Sequence, residues 1–138
     1  MFKKICIIGC GLIGSSLARA IKENNLSNKI VSSNRSNVVN KKVVELNIVD
    51  DSSSDTAKMV KDSDLIVIAT PLSSYKVVIL KIKNSLKNGS ILTDVGSVKS
   101  KVIPLVQKNV PKGVSWISSH PIAGTEESGP ESGFSKLF

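Results

Sequence analysis

An α/β fold with a doubly wound, mainly parallel sheet is what this 138-residue sequence predicts, and three observations carry it. Short apolar runs alternate with segments of helical period, as repeated strand-helix units require. The run "LIVIA" (65–69) has five apolar residues in succession, which suits a central strand buried on both faces. The glycine pattern "GCGLIG" (9–14) stands between the first apolar run and the first helical segment.

Taken in order, "KKICIIG" (3–9) is a buried strand, and residues 12–25 follow as a helix with Leu12, Ile13, Leu17, Ala18 and Ile21 on one face. The basic start resembles that of a signal peptide, but the apolar part is short and broken by glycines, which suits a strand and turn. "NKIVSSN" (28–34) reads as the second strand, residues 37–46 as a short helix and "NIVD" (47–50) as a weak third strand. The serines at 52–54 read as a loop, and "SDLIVIATP" (63–71) as the central strand. A helix over Ser74–Leu86 follows, with Ser73 or Ser74 placed to cap its start and Asn88-Gly89 its end. "SILTDVG" (90–96) is a fifth strand, residues 98–109 a helix ahead of Pro111, and "GVSWISSH" (113–120) a sixth strand. Without repeats or linkers, residues 1–138 are expected to form one domain.

Composition narrows the function. Apolar residues make up 41% of the chain and charged residues 22%, as in globular proteins, and no apolar run approaches the roughly 18 residues of a membrane span. A soluble, cytoplasmic protein is expected. Of the 19 basic residues only Arg19 and Arg35 are arginines, and aromatic residues are 4%. Arginine forks and aromatic platforms carry most nucleic-acid readout, so the +8 charge reads as a lysine-rich solvated surface that attracts small anions. Cys6 and Cys10 have no further cysteine or histidine near them in sequence, so no metal site is expected.

Ligands of open parallel sheets bind beyond the carboxyl ends of the strands, and five polar groups follow predicted strands. In "GCGLIG", Gly9 permits a tight turn, Gly11 lets a pyrophosphate approach the backbone and Gly14 allows close helix-strand packing. The helix that begins with Leu12 and Ile13 offers free N–H groups and a partial positive charge to the phosphates. This is a Rossmann-type dinucleotide site. Where NAD-binding folds commonly carry an acid, this chain reads "SSNRS". Asn34 can still bond a ribose hydroxyl, and Arg35, flanked by Ser33 and Ser36, suits a 2'-phosphate, which favours NADP over NAD. An ordinary polar turn with an exposed arginine is the alternative. Thr70 and Pro71, after the central strand, are placed for backbone contact with the cofactor.

In "TDVGSVKSK" (93–101), Asp94 lies on the cofactor side or else ties down its loop, and Ser97 meets a ligand or else caps the next helix. His120, the only histidine, ends the sixth strand. Its ordinary pKa of about 6.5 suits proton transfer near neutrality, and on these grounds alone a structural role stands equally open.

The ordered set "IIGCGLIGSSLARAIK", "SDLIVIATP", "ILTDVGSVKS" and "SHPIAGTEESG" resembles the N-terminal half of the prephenate/arogenate dehydrogenase family of tyrosine biosynthesis, over Ile7 to Gly133. The resemblance implies oxidative decarboxylation of prephenate or arogenate with hydride transfer to NAD(P). It assigns to His120 the polarisation or deprotonation of the substrate hydroxyl, and to Ser97 an orienting hydrogen bond. Thr125 and Glu126 match positions near the substrate mouth, where structuring the loop is the competing role. The family continues into a helical domain that makes the dimer and supplies basic groups for the substrate carboxylates. The chain is therefore expected to be the cofactor domain, truncated at its C-terminal end, and to bind substrate poorly alone. A non-catalytic dinucleotide-binding module is the alternative, and "HPIAGTE" argues against a hydroxyacid dehydrogenase.

Overall fold

The computed structural model describes residues 1–138. Its centre is a six-stranded sheet in the order β3-β2-β1-β4-β5-β6, with every neighbouring pair parallel. The strands are β1 (Ile5–Ile8), β2 (Ile30–Ser33), β3 (Asp51–Ser52), β4 (Leu65–Ile68), β5 (Ile91–Asp94) and β6 (Ser115–Ile117). The helices are α1 (Leu12–Glu23), α2 (Asn37–Glu45), α3 (Thr56–Val60), α4 (Tyr75–Ile82) and α5 (Lys99–Asn109). Single 3-10 turns occupy Leu72–Ser74, Pro130–Ser132 and Ser135–Leu137.

Strand alternation divides the core. Ile5, Ile7 and Val67 pack with Ala18 and Ile21 of α1 and Val43 of α2 on one face. Cys6, Ile8, Ile66, Ile68 and Leu92 pack on the other with α3, α4 and α5, through Val60, Ile79, Ile82 and Val102 among others. β1 and β4 are buried on both faces, which explains why their sequences are continuously apolar. The chain reverses direction across the sheet between β1 and β4, so the loops after these strands open a crevice at their carboxyl ends.

Several boundaries differ from expectation. The third strand is not 47–50 but Asp51–Ser52. Ile48 and Val49 both donate to the Val43 carbonyl behind a left-handed Asn47 (φ 53°), so this segment closes α2 instead of entering the ladder. α3 occupies residues for which the sequence predicts no element, and it starts on Asp55, whose carboxylate accepts from Lys58 N–H at 3.1 Å. α4 ends at Ile82, ahead of Leu86. Gly89 (φ 81°) turns the chain toward β5, its N–H bonding Gly113 O at 2.7 Å, and does not cap the helix. Neither Ser73 nor Ser74 caps α4, because a 3-10 turn led by Pro71 already supplies its first turn.

Candidate functional site: the carboxyl edge of the sheet

The glycine loop has the spacing its sequence demands. Gly9 is left-handed (φ 94°), and a Cβ there would lie 2.8 Å from Ala69 O and 2.9 Å from Thr70 Cγ2. A Cβ on Gly14 would lie 2.0 Å from Gly9 O, so β1 and α1 approach too closely for any side chain. Gly11 is exposed and has open space in front of it, with nothing within 4 Å of a Cβ. No side chain caps α1, and its first backbone bond runs from Ser15 N–H to Gly11 O at 2.9 Å. The amides of Leu12, Ile13 and Gly14 precede that bond and are left for an anion. Leu12 is buried and Ile13 half-buried, so these residues contribute backbone to the loop and apolar surface to the fold.

Beside this loop, β2 ends in a polar cluster. Asn34 Oδ1 accepts from Cys10 N–H at 2.6 Å, and its Nδ2 lies 3.0 Å from Asn40 Oδ1 and 3.3 Å from the hydroxyls of Ser32 and Ser52. The Asn34 side chain thereby holds the glycine loop to β2 and α2. Ser33 is similarly engaged, its hydroxyl 2.9 Å from that of Thr56. Ser36 caps α2, accepting from Val39 N–H at 3.5 Å. Of the four residues in this group Arg35 and Ser36 are exposed, and Arg35 makes no ion pair.

From β4, Thr70 stands against Gly9, with its hydroxyl buried and unpartnered, and Pro71 is exposed. From β5, Asp94 is wholly buried and accepts from Tyr75 OH at 3.2 Å, Gly96 N–H at 3.0 Å and Lys99 Nζ at 2.7 and 2.8 Å. Both Asp94 oxygens are thus engaged within the fold, and the carboxylate ties down the loop that follows β5. Ser97 is exposed and makes no cap on α5, whose N-cap position is Val98. β6 leads to His120, exposed, at one end of a mainly apolar cleft of roughly 510 Å³ that passes Thr93, Val95 and Val67 and reaches Leu65, Ile5 and Phe2 at the amino ends of β4 and β1. Thr125 and Glu126 are exposed on the following loop, and Thr125 Oγ1 accepts from Glu127 N–H at 3.2 Å.

Residues 17–138 match the family model described as prephenate dehydrogenase, nucleotide-binding domain. The chain belongs to the prephenate dehydrogenase family. It is 38% identical over 138 residues to the cyclohexadienyl dehydrogenase of Zymomonas mobilis, covering all of this chain and 47% of that protein. Among solved structures, prephenate dehydrogenase from A. aeolicus in complex with hydroxyphenyl propionate and NAD+ superposes with a TM-score of 0.90 at 27% identity, over 99% of this chain and 48% of that one. Synechocystis arogenate dehydrogenase gives a TM-score of 0.86 at 29% identity, over 98% of this chain and 46% of that one. The chain thus spans about half the length of these relatives.

Membership of the prephenate dehydrogenase family agrees with where the loops meet, and tertiary packing adds residues that sequence reading passed over. Asn40, Ser52 and Thr56 complete the cluster at the end of β2. Only Thr56 had a local signal, as the residue after the Asp55 cap. Tyr75 and Ser119 stand behind the β5 and β6 loops. Beyond Glu126 the chain returns to α1, where Phe134 N–H bonds Ser16 Oγ at 3.0 Å and Glu131 pairs with Lys42 of α2. Burial pushes the Cys6 thiol up to about 12 and the Cys10 thiol to about 11, so neither is a nucleophile. No helix is long and apolar enough to cross a membrane.

Proposed function

We propose that residues 1–138 act as the dinucleotide-binding domain of an NAD(P)-dependent prephenate or arogenate dehydrogenase, with NADP preferred. The observation that carries this reading is the position of His120. It follows a strand on the ligand side of the sheet and faces a cleft, within the stretch matched to the family.

The cradle fits a dinucleotide. Open space before Gly11 and the uncapped start of α1 suit a pyrophosphate, and the exposed guanidinium of Arg35 beside Ser36 suits a 2'-phosphate. When bound, the nicotinamide supplies the hydride acceptor. The chain's own residues then manage one proton. The His120 imidazole takes the proton of the substrate's ring hydroxyl as that carbon is oxidised to the carbonyl level. Loss of carbon dioxide leaves its bonding pair to the ring, which becomes aromatic and is thereby driven forward. Ser97 holds the hydroxyl in line with His120, and Thr125 and Glu126 border the substrate mouth. The NAD+ complex of the A. aeolicus relative supports nucleotide use, while the missing acid after β2 supports the choice of NADP.

Titration with NADP and NAD, followed by Trp116 fluorescence, tests the binding half, and reduction of either cofactor with prephenate or arogenate tests the chemistry. Tighter NADP binding is expected. Arg35→Ala should weaken NADP about tenfold to a hundredfold, the worth of a charge-assisted bond, and leave NAD unchanged. Failure to bind either nucleotide would sink the reading, and binding without turnover would favour a non-catalytic module.

A further inference from the structure

The side chains of Ser97 and His120 are both exposed, so their backbones must be held from behind. One residue reaches both loops. The Asp94 carboxylate, wholly buried at the end of β5, receives Gly96 N–H and Lys99 Nζ, which bracket Ser97 on either side. Tyr75 OH completes the set from α4. Burial, followed by the Asp94 charge, raises the Tyr75 pKa, so the phenol keeps the proton it donates. A Cβ on Gly96 would lie 2.7 Å from Tyr75 Oη and 3.0 Å from Asp94 Oδ2, so the loop is pressed directly onto this pair.

The same residue reaches the other loop through its backbone. Ser119 Oγ donates to the Asp94 carbonyl and accepts from Thr93 Oγ1 at 3.1 Å. Ser119 immediately precedes His120, and β5 and β6 are parallel neighbours with Thr93 opposite Ile117. The end of β5 therefore fixes one loop with its side chain and the next with its carbonyl.

We propose that Asp94 is the shared positioning residue of Ser97 and His120, acting through Gly96 and Lys99 toward Ser97 and through Ser119 toward His120, with Tyr75 holding its carboxylate in place. The catalytic consequence rests on the dehydrogenase reading above; the positioning itself does not. Displacement of a reacting group by about 1 Å costs on the order of a hundredfold in rate. Loss of either connection should therefore lower kcat while leaving dinucleotide affinity unchanged, because the glycine loop is held separately by Asn34.

His120 is the only histidine, so its ring C–H resonances report its surroundings without assignment. The test compares the parent with Ser119→Ala, Ser119→Thr and Thr93→Val by proton NMR across the His120 titration, and by kcat and KM with prephenate and arogenate. Ser119→Ala and Thr93→Val should shift or split the His120 signals and lower kcat about tenfold or more with the dinucleotide KM unchanged, and Ser119→Thr should restore both. Tyr75→Phe should lower kcat to a similar extent while the His120 signals stay put. His120 signals in Ser119→Ala and Thr93→Val that overlay those of the parent overturn the proposal. Failure to bind either dinucleotide removes the dehydrogenase reading, and the NMR comparison decides the positioning whether or not the chain alone turns over substrate.

Discussion

Asn34 has the composition of a ligand-binding residue and the surroundings of a structural one. Its side chain is shared among Cys10, Ser32, Asn40 and Ser52, and it is 8% exposed. Asn34→Ala would strand the Cys10 N–H, while the Asn40 amide keeps its bonds to the Asn34 backbone and Ser52, and urea denaturation should show a loss of about 1–3 kcal/mol. Asp64 poses the opposite case, a charge at the surface with several donors. Its carboxylate receives Lys87 Nζ and the N–H groups of Lys3 and Lys4, which draw its pKa down to about 2, the Lys87 bond first among the causes. The folded value is below the unfolded one, so the contribution is complete above the ordinary carboxylate pKa and is lost as pH falls through about 2. The acid limb of the stability curve between those values should be shallower in Asp64→Asn than in the parent, as read by thermal melts at stepped pH.

At the scale of elements, the turn from β1 into α1 separates two uses of glycine. Gly14→Ala would drive a methyl into Gly9 O, 2.0 Å away, and should destabilise by at least about 1–3 kcal/mol, the usual cost of overpacking. Gly11→Ala meets nothing within 4 Å and should cost under about 1 kcal/mol, while on the proposed dinucleotide reading it weakens nucleotide binding. Melting temperature and nucleotide affinity measured on the two variants should move in opposite patterns. α5 carries Pro104 in its interior, on the solvent side. A proline there removes one helix bond, so Pro104→Ala should raise the melting point, by about 1 kcal/mol or more in stability.

Across the whole molecule, both cysteines are buried, Cys6 in β1 within one core cluster and Cys10 in the glycine loop within the other. Their thiols should react with an aromatic disulfide reagent only when the domain opens globally, so the labelling rate should fall in parallel with stability measured by denaturant. The amino-acid sequence by itself determined the sheet's strand-helix alternation, the glycine loop and the His120 loop. These are local patterns: apolar runs of strand length, a glycine spacing set by backbone sterics, and a distinctive continuous stretch. β3 was misplaced because Ile48 and Val49 are apolar enough for a strand, yet their N–H groups are taken by the end of α2. α3 was missed because five residues give too little periodicity. Only the tertiary structure decided which polar residues have partners within the fold. Ser33 and Asp94 end strands and Asn34 follows one, and what distinguishes them from Arg35, Ser97 and His120 is who stands beside them. Those neighbours come from Asn40, Thr56 and Tyr75, residues 6, 23 and 19 positions away along the chain. A hydrogen bond is a property of two groups at one distance, and until the chain is folded that distance does not exist.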